Sequence, residues 1–410
     1  MNAFIKGDYV MREIEKNMKP KELKAYRTQL FRDAEQWKTP DRIPHYGNIV
    51  TWKIFDAGYT IDQAMQSMDI MKETVETFLS KYPIDVLIDV GIRNQFNVTE
   101  AFGMGEHGYY YYDKEVVGIN DHAYCPVDRL MDYINDKEKY AWEVALPEKI
   151  PDFYDKPMEV WKNTWNEYWK YIMFILKMNK VTGAYGLASG APNNPMKGTI
   201  NFGIEEAESN LLGIRNLSIA ARRNFDQLKE FCDAWNEKET KPIIAKILES
   251  EDGPDMKYCF DASLIMLSQN ILNPKQFNEL YWCYLEPLLK AYEQKGKCPR
   301  IFTEGKIDMY ADHFVDFKKG SLAFHLENDD PWAIREVLPN VCIIGGLTTA
   351  LLGNATPDEC VDYTKKLIDE LGSEGGFILS EDKMLSYRND CKAENLKAVC
   401  EFVSNYELKK

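Results

Sequence analysis

SLAFHLENDD, residues 321–330, is an apolar run that ends in His325, Glu327, Asp329 and Asp330. It predicts a strand that delivers polar side chains to a pocket. In a strand, side chains two apart share a face, so His325 and Glu327 point one way while Phe324 and Leu326 point the other. IFTEG at 301–305 has the same form, with apolar residues leading to Glu304 and then to a chain-turning Gly305. Two neighbouring strands are therefore expected to end in metal-type or acid–base side chains.

Outward from this pair the chain alternates strand and helix. On the C-terminal side come the strand VCIIGGL (341–347), a helix over 357–371 and the strand GGFILSE (375–381), which leads to Glu381 and Asp382. On the N-terminal side, a helix over 274–295 precedes IFTEG, and KYCFDASL (257–264) reads as a fourth strand ending in Asp261 and Ser263. Helices fill 204–250. VTGAYGLASGAP (181–192) reads as a strand opening into a loop of small residues that leads to Asn193. PIDVLIDVG (83–91) is a β-branched second strand ending near Asp89 and Arg93, and TPDRIPHYGN (39–48) holds a first strand ending in His45 and Tyr46. Charged and apolar residues at helical spacing over 8–37 place helices before it. Eight strands separated by helices predict an α/β fold, a closed (β/α)8 TIM barrel. One domain over 1–410 is expected, with N-terminal helices at 1–38 and an inserted segment at 94–180 after the second strand. In such a barrel the C-terminal strand ends build the active site, so these strand-end residues should converge.

The inserted segment holds FGMGEHG, the run Tyr109 to Tyr112, and VVGINDHAYCP. It reads as a hairpin that lids the pocket, with His107 and His122 flanking it and tyrosines such as Tyr110 able to stack on a flat ligand. The alternative is an aromatic hairpin packed on its own body. Over 156–179, Trp161, Trp165 and Trp169 recur every four residues, a stripe expected to be buried as core.

The formal net charge of -15 and the lack of a Lys/Arg block argue against a nucleic-acid partner. The opening MNAFIKGDYVMREIEKN is charged and lacks an apolar leader, and no run reaches the roughly 18 apolar residues of a spanning helix, so a cytoplasmic protein without membrane attachment is expected. Nine cysteines without a CxxC pair suit reduced thiols, most of them core residues.

If Glu304 ends the fifth strand and His325 and Glu327 the sixth, strands about 4.8 Å apart bring three donors around one point. A buried cluster of this kind is costly without a counter-charge, which a divalent cation supplies. In the alternative arrangement Glu327 pairs with His325 or with a cation, and Glu304 accepts backbone amides. Asp329 and Asp330 suit capping of the helix WAIREVL better than metal binding.

TPDRIPHYG, LNPKQFNELYW (272–282), PRIFTEGK (299–306), VCIIGGL followed by TPDECVDYTKKLID, GGFILSED and AENLKAV together resemble the uroporphyrinogen decarboxylase superfamily, and within it the corrinoid-dependent methyltransferase branch. The likeness is weakest over 94–180. True decarboxylases carry an arginine-rich segment at the first strand for their substrate's carboxylates; this chain has HYGNIVTW there, which disfavours that activity. The methyltransferase branch holds zinc through a His-any-Cys pair on the sixth strand and a Cys after the eighth. Here His325 is kept, Glu327 takes the second position, and Lys383 stands where the last Cys falls.

O-demethylases of the branch are similar in using carboxylates beside His. The resemblance thus implies zinc on Glu304, His325 and Glu327, polarising the oxygen of an aryl methyl ether. The methyl group would pass to cobalt(I) of a corrinoid (cobalamin) carried by a separate partner protein. The expected substrate-binding set is His45, Tyr46, Asp89, Arg93, His107, Tyr110, Asn193 and Asp261. The competing readings are a metal-free decarboxylase or lyase using Asp89, Asp261 or His45, and a barrel that only binds a small ligand.

Overall fold

The structure, a computed structural model, describes residues 9–88, 110–119, 125–149, 152–192 and 200–408. Seven strands form one parallel sheet in the order β2-β1-β9-β8-β7-β6-β5. They are β1 (His45–Gly47), β2 (Val86–Leu87), β5 (Ala262–Met266), β6 (Pro299–Thr303), β7 (Ala323–Leu326), β8 (Cys342–Leu347) and β9 (Phe377–Glu381). The gap between β2 and β5 is closed by residues 188–190. The Ala188 amide donates to the Asp85 carbonyl, and the Cys259 and Phe260 amides donate to the carbonyls of Ser189 and Gly190, each at 2.8 Å. With this eighth stave the sheet closes, as the alternation of strands and helices predicts. The expected third strand is shorter than its pattern, because 181–184 still belong to the helix Pro157–Ala184.

Alternation along each strand sorts the side chains. Ile301, Phe324, Leu326, Ile343 and Leu379 face the surrounding helices in the main core, whereas Tyr46, Phe260, Cys298, Ala323, Ile344 and Ile378 form a separate cluster inside the barrel. His325 lies on the inner side, edge-on to Tyr46 at 5.7 Å, opposite in sense to Phe324 and Leu326 as expected. Ser263 and Ile265, which alternate with the outward Ala262, Leu264 and Met266, are partly exposed, so water reaches the interior along β5.

The N-terminal ends of the strands form a floor sealed by the helix Pro20–Glu35. Its Phe31 meets Tyr46 and Phe260 edge-on at 6.2 and 6.0 Å, and the Ala34 carbonyl accepts from the Gly376 amide at 2.7 Å. Asp330 caps the helix Pro331–Val337 through the amides of Trp332 and Ala333, both at 2.9 Å. Asp329 instead accepts from the Ile307 amide at 2.9 Å. Thr356 and Glu359 form a capping box around Pro357 at the start of the helix Pro357–Leu371.

Within the inserted segment, β3 (Tyr110–Tyr112) and β4 (Val117–Ile119) pair as an antiparallel hairpin. Its turn touches the body at two points: the Lys114 carbonyl accepts from the Ile61 amide at 3.0 Å, and Glu115 pairs with Arg388 at 3.0 Å, in the loop after β9. The tryptophan stripe differs from its expected place. Trp161, Trp165 and Trp169 are 42%, 62% and 56% exposed, while Val160, Thr164, Phe174, Met178 and Val181 form the buried face. A four-residue repeat marks a face of a helix, but this helix is apolar on two sides, and only packing decides which is covered. No described helix is long and apolar enough to cross a membrane.

Candidate active site

Glu304 follows β6 at the mouth, where the strands reach their C-terminal ends. Its backbone is fixed on two sides. The amide donates to the Met266 carbonyl at 3.0 Å, and the carbonyl accepts from Gln269 Nε2 and Asn270 Nδ2 at 2.6 and 2.7 Å. Gly305 then turns with φ +79°, in the left-handed region, and Asn270 fills the space a Cβ would need, so no other residue suits that position. The Gly305 amide donates to Glu327 Oε2 at 2.6 Å. It is thus Glu327, and not Glu304, that satisfies a backbone amide here. Burial raises the Glu304 carboxyl to about 7, with the charges of Glu327 and Glu208 adding to the rise. No described Lys or Arg forms an ion pair with Glu304 or Glu327.

Glu208 escapes sequence reasoning. GIEEAESN looks like an exposed acidic helix, but Gly203–Glu206 runs into a π-helical turn, Ala207–Leu212, that buries Glu205, Glu206 and Glu208. Glu208 accepts from Ser268 Oγ at 2.5 Å, and Glu205 from the Tyr281 hydroxyl at 2.6 Å. Burial pushes Glu205 up to about 8. The only signal in the sequence is three acids within four positions beside the apolar LL at 211–212, too much charge for a helix start that must also pack.

His325 is fully buried, and both of its ring nitrogens are engaged. Arg300 Nη2 lies 2.6 Å from Nδ1, and Nε2 lies 3.1 Å from the Glu381 carbonyl oxygen. An arginine can only donate and a carbonyl can only accept, so the partners assign the proton to Nε2. Burial, then the Arg300 guanidinium, hold the imidazole well below its usual range, and it stays neutral. No lone pair is left for a metal in this arrangement. Among the described residues no three His, Cys, Asp or Glu side chains are placed to hold an ion. The expected zinc triad of Glu304, His325 and Glu327 therefore does not fit. Two of its members meet at the mouth, while the third is turned inward and locked by an arginine that strand alternation puts on its face.

Arg300 was not foreseen. It is 3% exposed, donates to Ser263 Oγ at 2.9 Å, and lies over the rings of Tyr46 and Phe302 at 4.8 and 5.6 Å. Its Nε has no partner and no carboxylate forms an ion pair with it among the described residues. Cation–π contacts offset part of its desolvation.

Three other expected substrate contacts lie away from the mouth. His45 faces outward and is 1% exposed; its Nε2 is 3.0 Å from Glu381 Oε1 and its Nδ1 3.7 Å from Cys400 Sγ, under the helix Ala393–Asn405. Tyr46 points inward but is packed shut by Phe31, Phe260 and His325. Asp261 precedes β5 and does not end it, which puts it at the floor, bonded to Arg32 at 2.9 Å and to the amides of Asp255 and Cys298. The strand starts five residues later than its apolar run suggests, and so its ends exchange roles. Asp89, Arg93, His107, His122 and Asn193 lie outside the described residues, as does the side chain of Tyr110.

Residues 213–406 match the sequence model of the family described as Uroporphyrinogen decarboxylase (URO-D). A solved structure of a methyltransferase from Methanosarcina mazei is similar in fold, with a TM-score of 0.52 at 12% sequence identity, covering 92% of this chain and 98% of that one. At this identity the likeness concerns the fold alone. No curated protein matches the chain. Residues 213–406, just under half of the chain, are thus similar to the uroporphyrinogen decarboxylase family.

Proposed function

We infer that this protein is a methyltransferase that demethylates a small methylated substrate, an aryl methyl ether, and passes the methyl group to cobalt(I) of a separate corrinoid protein. The observation that carries this reading is the Glu304 carboxyl, held at about 7 at the barrel mouth beside Glu327. A methyl ether resists cleavage because its oxygen is a poor leaving group, and a carboxylic acid still protonated near neutral pH can give that oxygen its proton. The C–O bond breaks, its electron pair stays on oxygen, and Glu304 supplies the proton. Glu327 and Glu208 keep the acid protonated before the reaction. The corrinoid supplies the nucleophile that accepts the methyl group. The superfamily match and the fold shared with a methyltransferase support the reading. Zinc has no role in it, since His325 is already committed to Arg300 and Glu381.

One observation favours a second reading, a metal-free decarboxylase or lyase. Arg300, without a carboxylate partner and beside the partly exposed Ser263, suits a carboxylated substrate, and Glu304 would then protonate carbon in place of oxygen. A single assay separates the two. The protein is mixed with reduced cobalamin and a set of aryl methyl ethers, methylamines and methanol, with phenol release and methylcobalamin both followed. Methylcobalamin formation from an ether, lost in Glu304→Gln, is expected. Turnover of an aryl carboxylate with no need for cobalamin would replace the first reading by the second.

A further inference from the structure

The helix Pro157–Ala184 carries a second apolar face that the other described residues leave largely exposed. Met158, Trp165, Trp169, Met173 and Leu176 are 80%, 62%, 56%, 51% and 51% exposed, and Trp161 at their edge touches Trp142 and Phe153 at 6.4 and 5.9 Å. These positions recur every three or four residues and trace one stripe about 27 Å long. The opposite face, through Val160, Phe174 and Met178, is packed against the body. With large side chains presenting up to about 150–250 Å² each, the stripe exposes on the order of 700 Å² of apolar surface. That exceeds the roughly 300–600 Å² of the largest patch on ordinary monomers and approaches the ~800 Å² each partner contributes to a stable interface.

We propose that this face packs against the same face of a second copy of the chain, the two helices antiparallel about a two-fold axis between Trp165 and Trp169. Charge selects this partner and this direction. Glu159 and Lys177 are eighteen residues, about five turns, apart and so share one edge of the stripe. In an antiparallel pair, Glu159 of each copy meets Lys177 of the other at both ends; a parallel pair sets them at opposite edges. Lys177 now pairs with Asp69 at 3.2 Å, but Asp69 is 90% exposed, and a pair of that kind is exchanged at little cost. Lys162 and Lys180, exposed beside the stripe, bring positive charge to the one place where two copies of net charge -15 must approach.

Sedimentation velocity on the full chain over a concentration series tests the proposal. A dimer is expected for the wild type. Trp165→Glu with Trp169→Glu should give a monomer with unchanged circular dichroism and melting temperature, since both side chains are exposed. Glu159→Lys should raise the dimer dissociation constant about fivefold, and adding Lys177→Glu should restore it. A wild type that is monomeric at every concentration overturns the proposal, as does a dimer that survives the double tryptophan change. Binding of the monomer to anionic phospholipid vesicles through the same tryptophans would also overturn it and assign the stripe to a lipid surface.

Discussion

Asp85 at the floor of this barrel and Glu304 at its mouth are both buried carboxylates, but their surroundings treat them in opposite ways. At the floor, Asp85 lies between Arg42 at 2.7 Å and Arg27 at 3.0 Å, Glu15 binds Arg42 at 2.7 Å, and Arg32 joins Glu35 and Asp261 at 2.6 and 2.9 Å. Although burial alone would raise Asp85, the guanidinium of Arg42 and then that of Arg27 hold its carboxyl down at about 2. At the mouth, burial, with the charges of Glu327 and Glu208 adding to it, raises Glu304 to about 7, and burial lifts Asp382 to about 6. The same side-chain chemistry is an anion at Asp85 and an acid that keeps its proton to near neutral pH at Glu304. The sign is set by whether guanidinium charge outweighs burial: it does at Asp85, where Arg42 and Arg27 both act, but not at Glu35, which burial pushes up to about 8 although Arg32 lies against it.

Breaking the floor should have the largest effect on stability. Asp85→Asn leaves Arg27 and Arg42 buried with Glu15 as their remaining anion, and a loss of about 3–5 kcal/mol in urea unfolding is expected. Glu304→Gln should do the reverse of damage to the fold, leaving stability unchanged or slightly higher because a repulsive buried acid is removed, while methyl transfer falls by about 10²-fold or more. If both changes cost stability alike, the contrast between the two ends fails.

pH should separate the ends without mutation. The floor's contribution from Asp85 is complete above the ordinary carboxylate value and is lost as pH falls toward 2, on the order of 2 kcal/mol. At the mouth the sign reverses. Glu304 binds its proton more tightly folded than unfolded, so stability declines as pH rises from about 4.5 toward 7. Melting temperature against pH should therefore fall at both sides, and Glu304→Gln should make the neutral side shallower, where Glu35, Glu205 and Asp382 also contribute, while leaving the acid side unchanged. The smallest effect belongs to Glu327→Gln, which keeps an oxygen for the Gly305 amide but removes the nearer charge. The alkaline limb of the rate profile, set by Glu304, should move to lower pH by less than about one unit. A limb that stays in place would remove Glu327 from the site.

Much of the frame was legible in the chain alone because strand periodicity is a local property. Alternation in SLAFHLENDD placed His325 on the inner face and Phe324 and Leu326 on the outer one, Gly305 marked the turn that Asn270 enforces, and the order of strands and helices required a barrel. Glu304 and Glu327 were found at the mouth for the same reason. What local pattern could not supply was the partner across the barrel. Arg300 reaches His325 through neighbouring strands, Glu208 arrives from a π-turn some hundred residues before Glu304, and Asp261 changes ends because its strand starts later than its apolar run. The tryptophan stripe makes the same point at the surface. Spacing fixed the face, but the face that is buried was decided by which side of the helix met the rest of the protein. Sequence by itself determined which residues share a strand face or a helix stripe. Tertiary structure decided which charges meet, because ionisation depends on neighbours a few ångströms away in space and far apart along the chain.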